Sequence, residues 1–359
     1  MSHFTEKITA VPPPTVVAKA WSYLPWSDMV RNYFSAMSLL VTGYLFYTHH
    51  PHWQGFFSAE YHLNSLVITG NEILLGLVCL YSVCLLPFYL SLPDTYQPKS
   101  RRFWAALAGI KRGCLSERDK TALLATLVKF FFLPMMLIWL IEHVESLIRH
   151  WEGYFITGTF FPAGYWFIFQ IILLVDVFFF VLAYAVEHPK LGNEIRSVEP
   201  TLFGWLVALI CYPPFNGMTN QILGWHSADY PEYQTVIMQN IAGTAMLIFM
   251  AVYAWGSAAL NLKAGNLTHR GIVRHGPYRW VRHPAYTAKN VAWWIGAFPL
   301  LAAELQVSYS GFVFAVLGMA SWTFIYYLRA TTEERHLLSD PVYADYCRDV
   351  PYRFIPKIY

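Results

Sequence analysis

Long runs of apolar residues, separated by polar stretches, dominate the chain. About eight runs are candidates for transmembrane helices, at residues 30–48, 66–90, 121–141, 165–186, 201–215, 236–260, 290–303 and 309–328. A helix needs about 20 mostly apolar residues to cross a hydrocarbon core of about 30 Å. We therefore predict an all-α fold, a polytopic transmembrane helical bundle with about eight spans. The fifth and seventh runs are the shortest, and Pro213-Pro214 interrupts the fifth.

Composition supports a location in the bilayer. Hydrophobic residues make up 56% of the chain and charged residues only 13%, whereas charged residues are roughly a quarter of a soluble domain. The net charge of +3 is too small to indicate nucleic acid as a partner. Because the basic residues lie next to apolar runs, membrane topology already explains them.

Charge in the connecting loops predicts the orientation. The loop at 93–120 carries seven lysines and arginines against three acidic residues, and the segment at 270–289 is basic without any acidic residue. Such loops are typical of the cytoplasmic side. The segment at 216–235 has no lysine or arginine, as expected of an external loop. With an even number of spans, both termini are expected to be cytoplasmic.

Neither a disulfide framework nor a metal site is predicted. The five cysteines are scattered without a Cys-x-x-Cys pair. A histidine run at His49, His50 and His52 could suggest metal binding, but Pro51 interrupts it and no partner set appears elsewhere. Polar residues at the end of a helix are the better interpretation, and no metal is expected.

Two polar blocks near the carboxyl end contain an ordered set of residues. The first block contains Gly276-Pro277-Tyr278, Arg282-His283-Pro284 and Tyr286, and the second contains Glu333-Glu334, Leu337, Tyr343, Tyr346, Arg353 and Pro356. A hairpin of two predicted spans separates the blocks. Two crossings return the chain to its starting side, so we expect the basic and acidic residues to meet at one face of the membrane.

This ordered set resembles the integral-membrane methyltransferases, which include isoprenylcysteine carboxyl methyltransferase and the phospholipid N-methyltransferases. The resemblance covers residues 271–359, about the last quarter of the chain. It implies methyl transfer from S-adenosyl-L-methionine to a lipid-like acceptor with a carboxylate, amine or thiol. Residues 236–359 would form the catalytic and cofactor-binding region, and residues 1–235 would shape substrate access. The glycine-rich motif of a Rossmann methyltransferase does not occur in this sequence.

The resemblance also implies a set of cofactor-binding residues. These are Pro277, Tyr278, Arg282, His283, Pro284, Tyr286, Glu333, Glu334, Leu337, Tyr343, Tyr346 and Arg353. Arginines can hold a carboxylate with paired hydrogen bonds, and carboxylates can accept from hydroxyl or amino groups. Aromatic faces suit adenine and a sulfonium cation. Adjacent Glu333 and Glu334 point about 100° apart on a helix, so only one can face the pocket squarely.

Candidates for catalytic roles are Arg282, Glu334 and Asp176. Asp176 and Lys129 lie inside predicted spans, where a charge costs roughly 2.5 to 3.5 kcal/mol on insertion scales. A substrate role and a structural Lys129–Asp176 pair are about equally supported, and Lys129 could also extend its ammonium toward the interface. Arg196 and Glu199 are further candidates for polar contacts with the substrate.

Several residues depart from the family pattern and leave alternatives open. Ala288 and Lys289 stand where a glycine and then a small or apolar residue are usual, and Asp340-Pro341 replaces Phe-Gly. An NADPH-dependent sterol-reductase-like enzyme is an alternative, because the sterol reductases look similar in the Arg-His-x-x-Tyr block and in the ending at 350–359. Their block has Asn before the tyrosine and Gly-Asp after it, where this chain has Ala285, Ala288 and Lys289. A transporter would leave the paired blocks unexplained. Arg329 and Glu333 could also form a simple i,i+4 pair.

Overall fold

The computed structural model of the protein describes residues 25–63, 65–93, 96–158 and 160–358. Its architecture is all-α, as predicted, with twelve helices in the described ranges. They are α1 (Trp26–His49), α2 (Pro51–Phe57), α3 (Gly70–Leu90), α4 (Lys99–Ile110), α5 (Glu117–Thr157), α6 (Tyr165–Ala185), α7 (Leu202–Leu209), α8 (Phe215–Leu223), α9 (Val236–Leu260), α10 (Pro284–Val307), α11 (Tyr309–Leu337) and α12 (Pro341–Asp349). The predicted location of the amino terminus concerns residues outside these ranges.

Within the described ranges, five helical segments are long and apolar enough to cross a membrane. They are Gly70–Leu90, Glu117–Tyr154, Phe160–Ala185, Val236–Lys263 and Tyr309–Leu337. Helices α1 and α10 have 24 residues each, which corresponds to about 36 Å, but they are less apolar. The chain is therefore a multi-pass membrane protein, with fewer clear spans than the eight predicted.

The predicted fifth span at 201–215 is wrong as a single helix. Helix α7 has only eight residues, or about 12 Å, and the chain breaks before Pro213-Pro214. Proline has no amide hydrogen to donate to the backbone of a helix, so the two prolines account for the end of the helix in this region. From Thr201, which contacts Arg335 near the end of α11, the chain passes through α7, α8 and a loop to the start of α9.

Short polar residues set the starts of the long helices. The side chains of Ser116, Thr235 and Ser308 each accept a hydrogen bond from a backbone amide in the first turn of the helix that follows. These helices are α5, α9 and α11, respectively. Such caps satisfy amide groups that have no partner within the helix. Ser308 thus fixes the turn of the α10–α11 hairpin, which joins the two polar blocks.

The loop after α8 packs into this hairpin. A side chain at Gly296 would clash with the carbonyl oxygen of Ala228, and one at Gly318 would clash with that of Leu223. Glycine lets backbone approach backbone at both places. Trp225 then packs edge-on against Trp293 and Trp322. The loop therefore packs against both α10 and α11.

Two short antiparallel ladders were not predicted. Strand β1 (Glu60–Leu63) pairs with β2 (Leu66–Thr69), so the first four residues of the predicted span at 66–90 are extended and the helix begins at Gly70. Strand β3 (Ser197–Val198) pairs with β4 (Thr268–His269). The second ladder ties the connection between α6 and α7 to the segment that precedes the first polar block.

Lys129 does not pair with Asp176, so the predicted structural pair is wrong. Its ammonium lies 2.9 Å from the Glu187 carboxylate, which also binds Lys99. Asp176 instead accepts hydrogen bonds from Tyr253, at 2.5 Å, and from Ser257. A charged or polar partner from another segment of the chain therefore stabilises each of these two charges within the bundle.

Candidate functional site

The α10–α11 hairpin brings the two polar blocks into contact. His283 immediately precedes α10, and Glu334 lies in the last turn of α11. The His283 Nε2 atom is 3.0 Å from Glu334 Oε1. Residues separated by two long helices thus meet at the same end of the bundle, as the sequence predicts.

Glu334 is the centre of a buried ion cluster. Its carboxylate accepts from Arg282 Nε at 2.7 Å and from Arg353 Nη2 at 2.7 Å, in addition to the contact with His283. Arg282 also donates to the carbonyl oxygens of Val350 and Pro351. Burial alone would lower the pKa of Arg282, but the bond to Glu334 raises it above its ordinary value. The cluster fastens the tail of the chain to the first polar block.

Tyr343 and Tyr346 pack beneath this block. Both rings are buried in a cluster with Leu337 and Tyr278, and the Tyr346 hydroxyl donates to the Tyr278 carbonyl at 2.6 Å. Burial raises the pKa of both phenols, which stay protonated. Helix α12 therefore packs against the loop that contains Tyr278 and stabilises its position.

Two adjoining cavities lie beside the ion cluster. The larger one we call the aromatic cavity. Its wall consists of Phe180, Tyr212, Tyr253, Ser257, Leu260, Gly265, Asn266, Tyr278, Arg282, His283, Ala285, Tyr286, Lys289, Tyr326, Arg329 and Glu333. The smaller one we call the polar cavity. Its wall consists of Glu199, Gly204, Ala208, Gly265, Asn266, Leu267, Thr268, Tyr286, Arg329, Thr332, Glu333, His336 and Leu337. The two share five wall residues and form one chamber.

The predicted cofactor residues divide into two groups. Six line the chamber, namely Tyr278, Arg282, His283, Tyr286, Glu333 and Leu337. The other six are not part of its wall, namely Pro277, Pro284, Glu334, Tyr343, Tyr346 and Arg353. Pro284 is the first residue of α10, and Pro277 lies in a short turn at Gly276–Arg279. Both prolines limit the backbone of the loop.

Glu333, and not Glu334, faces the chamber. The Tyr286 hydroxyl donates to Glu333 Oε2 at 2.8 Å, and the Glu333 side chain is 45% exposed, against 6% for Glu334. The Tyr286 ring stacks on His283 with 5.3 Å between centroids. The Glu333 carboxylate and the stacked rings of Tyr286 and His283 therefore line the chamber at this point.

Arg329 is a chamber residue that was not among the predicted site residues, and a simple i,i+4 pair with Glu333 was an open alternative for it. Its guanidinium lies 5.0 to 5.5 Å from the ring centroids of Tyr326, Tyr286 and Tyr212 and donates to Asn266 Oδ1 at 2.9 Å. In the described part of the chain, Arg329 makes no carboxylate ion pair, so the pair with Glu333 is wrong. Its position within an apolar helix was the signal, because a buried charge is costly.

Asp176 lies one layer behind the aromatic cavity. The two side chains that donate to it, Tyr253 and Ser257, line that cavity. Lys289 also lines it, with its ammonium 4.9 Å from the Tyr253 ring centroid and 5.5 Å from that of Trp293. The catalytic role of Asp176 stays a prediction, and the structure gives Asp176 a position from which it orients Tyr253.

The all-helical membrane fold and the paired polar blocks are those expected of an integral-membrane methyltransferase. Within that class, residues 235–339 match the model of the Isoprenylcysteine carboxyl methyltransferase (ICMT) family. The match runs from the start of α9 through α11 and includes both polar blocks up to Leu337. It confirms the predicted enzyme class, the use of S-adenosyl-L-methionine and a lipophilic acceptor. No curated protein and no solved structure matches the sequence.

The chamber fits S-adenosyl-L-methionine in its chemistry. In the described part of the chain, three buried polar atoms from its wall have no hydrogen-bond partner, namely Glu199 Oε2, Asn266 Nδ2 and Thr268 Oγ1. Buried polar atoms nearly always have partners in a folded protein. Free acceptors and donors beside aromatic faces therefore suit a zwitterionic ligand with an adenine ring and a sulfonium.

Proposed function

We propose that this protein transfers a methyl group from S-adenosyl-L-methionine to the carboxylate of a prenylated, lipophilic acceptor in this chamber. The observation that carries the proposal is the pair of cations in the aromatic cavity. Lys289 and Arg329 both line it, and neither makes a carboxylate ion pair in the described residues. An anionic group on the acceptor would complete their charge balance.

The remaining charges of the aromatic cavity support an anionic acceptor. Of the other charged wall residues, Arg282 is already neutralised by Glu334, and Glu333 supplies a single negative charge. Within the wall of this cavity, one carboxylate thus faces two cations that have no carboxylate ion pair in the described residues. A carboxylate acceptor is also deprotonated at neutral pH, so methyl transfer to it needs no general base.

The residues of this chain would act by holding and aligning the reactants. When bound, S-adenosyl-L-methionine supplies a methyl group on a sulfonium that is already electrophilic. Tyr278, His283 and Tyr286 offer aromatic faces to adenine and to the sulfonium, and Glu333 offers a hydrogen-bond acceptor. The ion cluster of Glu334 keeps this loop in place. Catalysis of this kind depends on proximity and orientation.

The proposed topology places the chamber at the cytoplasmic face. The basic loop at 93–120 lies at the same end as the chamber, because Lys99 binds Glu187 and Arg196 approaches Asp340, the residue just before α12. Counting the broken passage from Thr201 to Thr235 as one crossing gives eight passes with both termini cytoplasmic. Residues 236–359 then hold the donor, and residues 1–235 shape the path of the acceptor from the bilayer.

The acceptor is tested by transfer of a labelled methyl group in lipid nanodiscs. An S-prenylated cysteine derivative with a free carboxylate is compared with its carboxamide and with phosphatidylethanolamine. We expect label only in the carboxylate compound, as a base-labile ester. Label in the amine lipid would contradict the proposal, and binding of NADPH without binding of S-adenosylhomocysteine would favour the reductase.

The same assay tests the role of Lys289. Replacing Lys289 by methionine keeps its apolar stem but removes its charge, so we expect the KM for the acceptor to rise about tenfold or more, the effect of a charged hydrogen bond. The KM for the donor should change little. Lys111, an exposed residue after α4, provides the control, and Lys111→Met should leave both constants unchanged.

A further inference from the structure

The wall of the polar cavity includes a residue from outside the segment that matches the family. Glu199 lies between β3 and α7, and its side chain packs directly against Gly204, where a side chain would clash with it. Only 2% of the residue is exposed. The β3–β4 ladder holds this connection against the segment before the first polar block.

The two oxygens of the Glu199 carboxylate differ in their contacts. Oε1 accepts from the Thr201 amide at 3.1 Å, from the Thr201 hydroxyl and from Arg335 Nη2 at 2.6 Å. Oε2 is buried and has no partner in the described part of the chain. One oxygen is thus occupied in positioning the side chain, and the other is available to a ligand.

Asn266 and Thr268 provide complementary groups in the same wall. Asn266 Oδ1 accepts from Arg329 at 2.9 Å and from Tyr212 at 3.2 Å, which leaves Nδ2 as a buried donor without a partner in the described residues. The Thr268 hydroxyl is also buried and unpaired there. The polar cavity therefore presents an anionic acceptor beside neutral donors.

We propose that Glu199 Oε2 binds the α-ammonium group of S-adenosyl-L-methionine, while Asn266 Nδ2 donates to the adjacent α-carboxylate. This inference rests on the proposed function. An ammonium group is a stronger partner for a buried carboxylate than a hydroxyl, because both members of the bond are charged. The amino-acid end of the donor then occupies the polar cavity, and the aromatic faces of Tyr286 and Tyr278 remain for the rest of the molecule.

The experiment compares two ligands on two forms of the full chain. S-Adenosylhomocysteine and its deaminated analogue, which keeps the carboxylate but lacks the ammonium, are titrated calorimetrically into nanodisc-embedded protein. We expect the wild type to bind S-adenosylhomocysteine about ten to one hundred times more tightly, as a charged hydrogen bond predicts. In Glu199→Gln, this preference should fall to about threefold or less. Glu117→Gln, which changes an exposed carboxylate paired with Lys120, should keep the wild-type preference.

Three outcomes would overturn the assignment. They are equal affinity of the wild type for the two ligands, an unchanged preference in Glu199→Gln, and an equal loss of affinity for both ligands in that variant. The first outcome requires no variant, so the test stands even if Glu199→Gln does not fold. Failure of the wild type to bind S-adenosylhomocysteine at all would instead contradict the proposed function.

Discussion

Glu333 and Glu334 are neighbours in the sequence but have different surroundings. The helix directs their side chains about 100° apart. Glu334 points toward Arg282, His283 and Arg353 and is buried, whereas Glu333 points toward Tyr286 at the chamber. Glu334 therefore has the contacts of a residue that holds the fold, and Glu333 has those of a residue that meets a ligand.

Substitution of each carboxylate by its amide separates these roles. Glu334→Gln leaves two arginines near a neutral group, and breaking a buried pair in this way costs about 3 to 5 kcal/mol. We expect a clearly lower unfolding temperature in a fluorescence melt. Glu333→Gln should unfold near the wild-type temperature but bind S-adenosylhomocysteine more weakly. Equal melting temperatures for the two variants would contradict this assignment.

The sequence identified site residues that belong to a recognisable motif. It did not identify the roles of residues whose surroundings come from distant parts of the chain. Arg282, His283 and Tyr286 were predicted for the pocket and line the chamber. For Arg329, a simple i,i+4 pair with Glu333 stayed open as an alternative, because the sequence does not show that three tyrosines surround it. Likewise, Glu199 was a candidate for substrate contacts, but its free oxygen became visible only once Thr201 and Arg335 were placed beside it.

At the scale of elements, the apolar pattern located the long helices better than their ends. Helix α5 extends from Glu117 to Thr157, well beyond the predicted span at 121–141, because polar residues continue a helix outside the apolar layer. The two-residue strands β3 and β4 have no periodicity that a sequence could show. Their pairing depends on the folded positions of α6 and α9.

The fit of the loop into the α10–α11 hairpin can be tested at a glycine. Gly318→Ala places a methyl group against the carbonyl of Leu223, and overpacking of this kind typically costs about 1 to 3 kcal/mol. We expect a lower melting temperature. Gly76 in α3 has nothing near the position of an added methyl group, so Gly76→Ala should be neutral or slightly stabilising. The reverse order of the two variants would contradict the packing described.

At the scale of the whole molecule, Glu187 links three helices. It lies just after α6 and binds Lys99 of α4 and Lys129 of α5. Burial alone would raise the pKa of Glu187, but the lysines hold it at about 2, below the ordinary value of 4.5. Because the folded pKa is the lower one, the stabilisation is complete above about pH 4.5 and is lost as the pH falls toward 2.

This linkage predicts a measurable pH dependence. Between pH 6 and pH 3, the Glu187 contribution to the free energy of unfolding should fall by about 2 kcal/mol. Glu187→Gln lacks a titrating group at this site, so its stability should fall less steeply over the same range. The measurement is the difference between the two proteins in denaturant unfolding at each pH. Parallel pH profiles would show that Glu187 does not contribute in this way.

The proposed topology makes a prediction about opposite ends of the bundle. Cys114 is exposed in the basic loop between α4 and α5, at the end that holds the chamber, whereas Val307 is exposed at the turn between α10 and α11. In the experiment, the other cysteines are replaced by alanine, and a membrane-impermeant maleimide is added to intact cells. The cysteine of Val307→Cys should be labelled, whereas Cys114 should react only after the membrane is opened. Labelling of Cys114 in intact cells would place the chamber outside, where S-adenosyl-L-methionine made in the cytoplasm could not reach it.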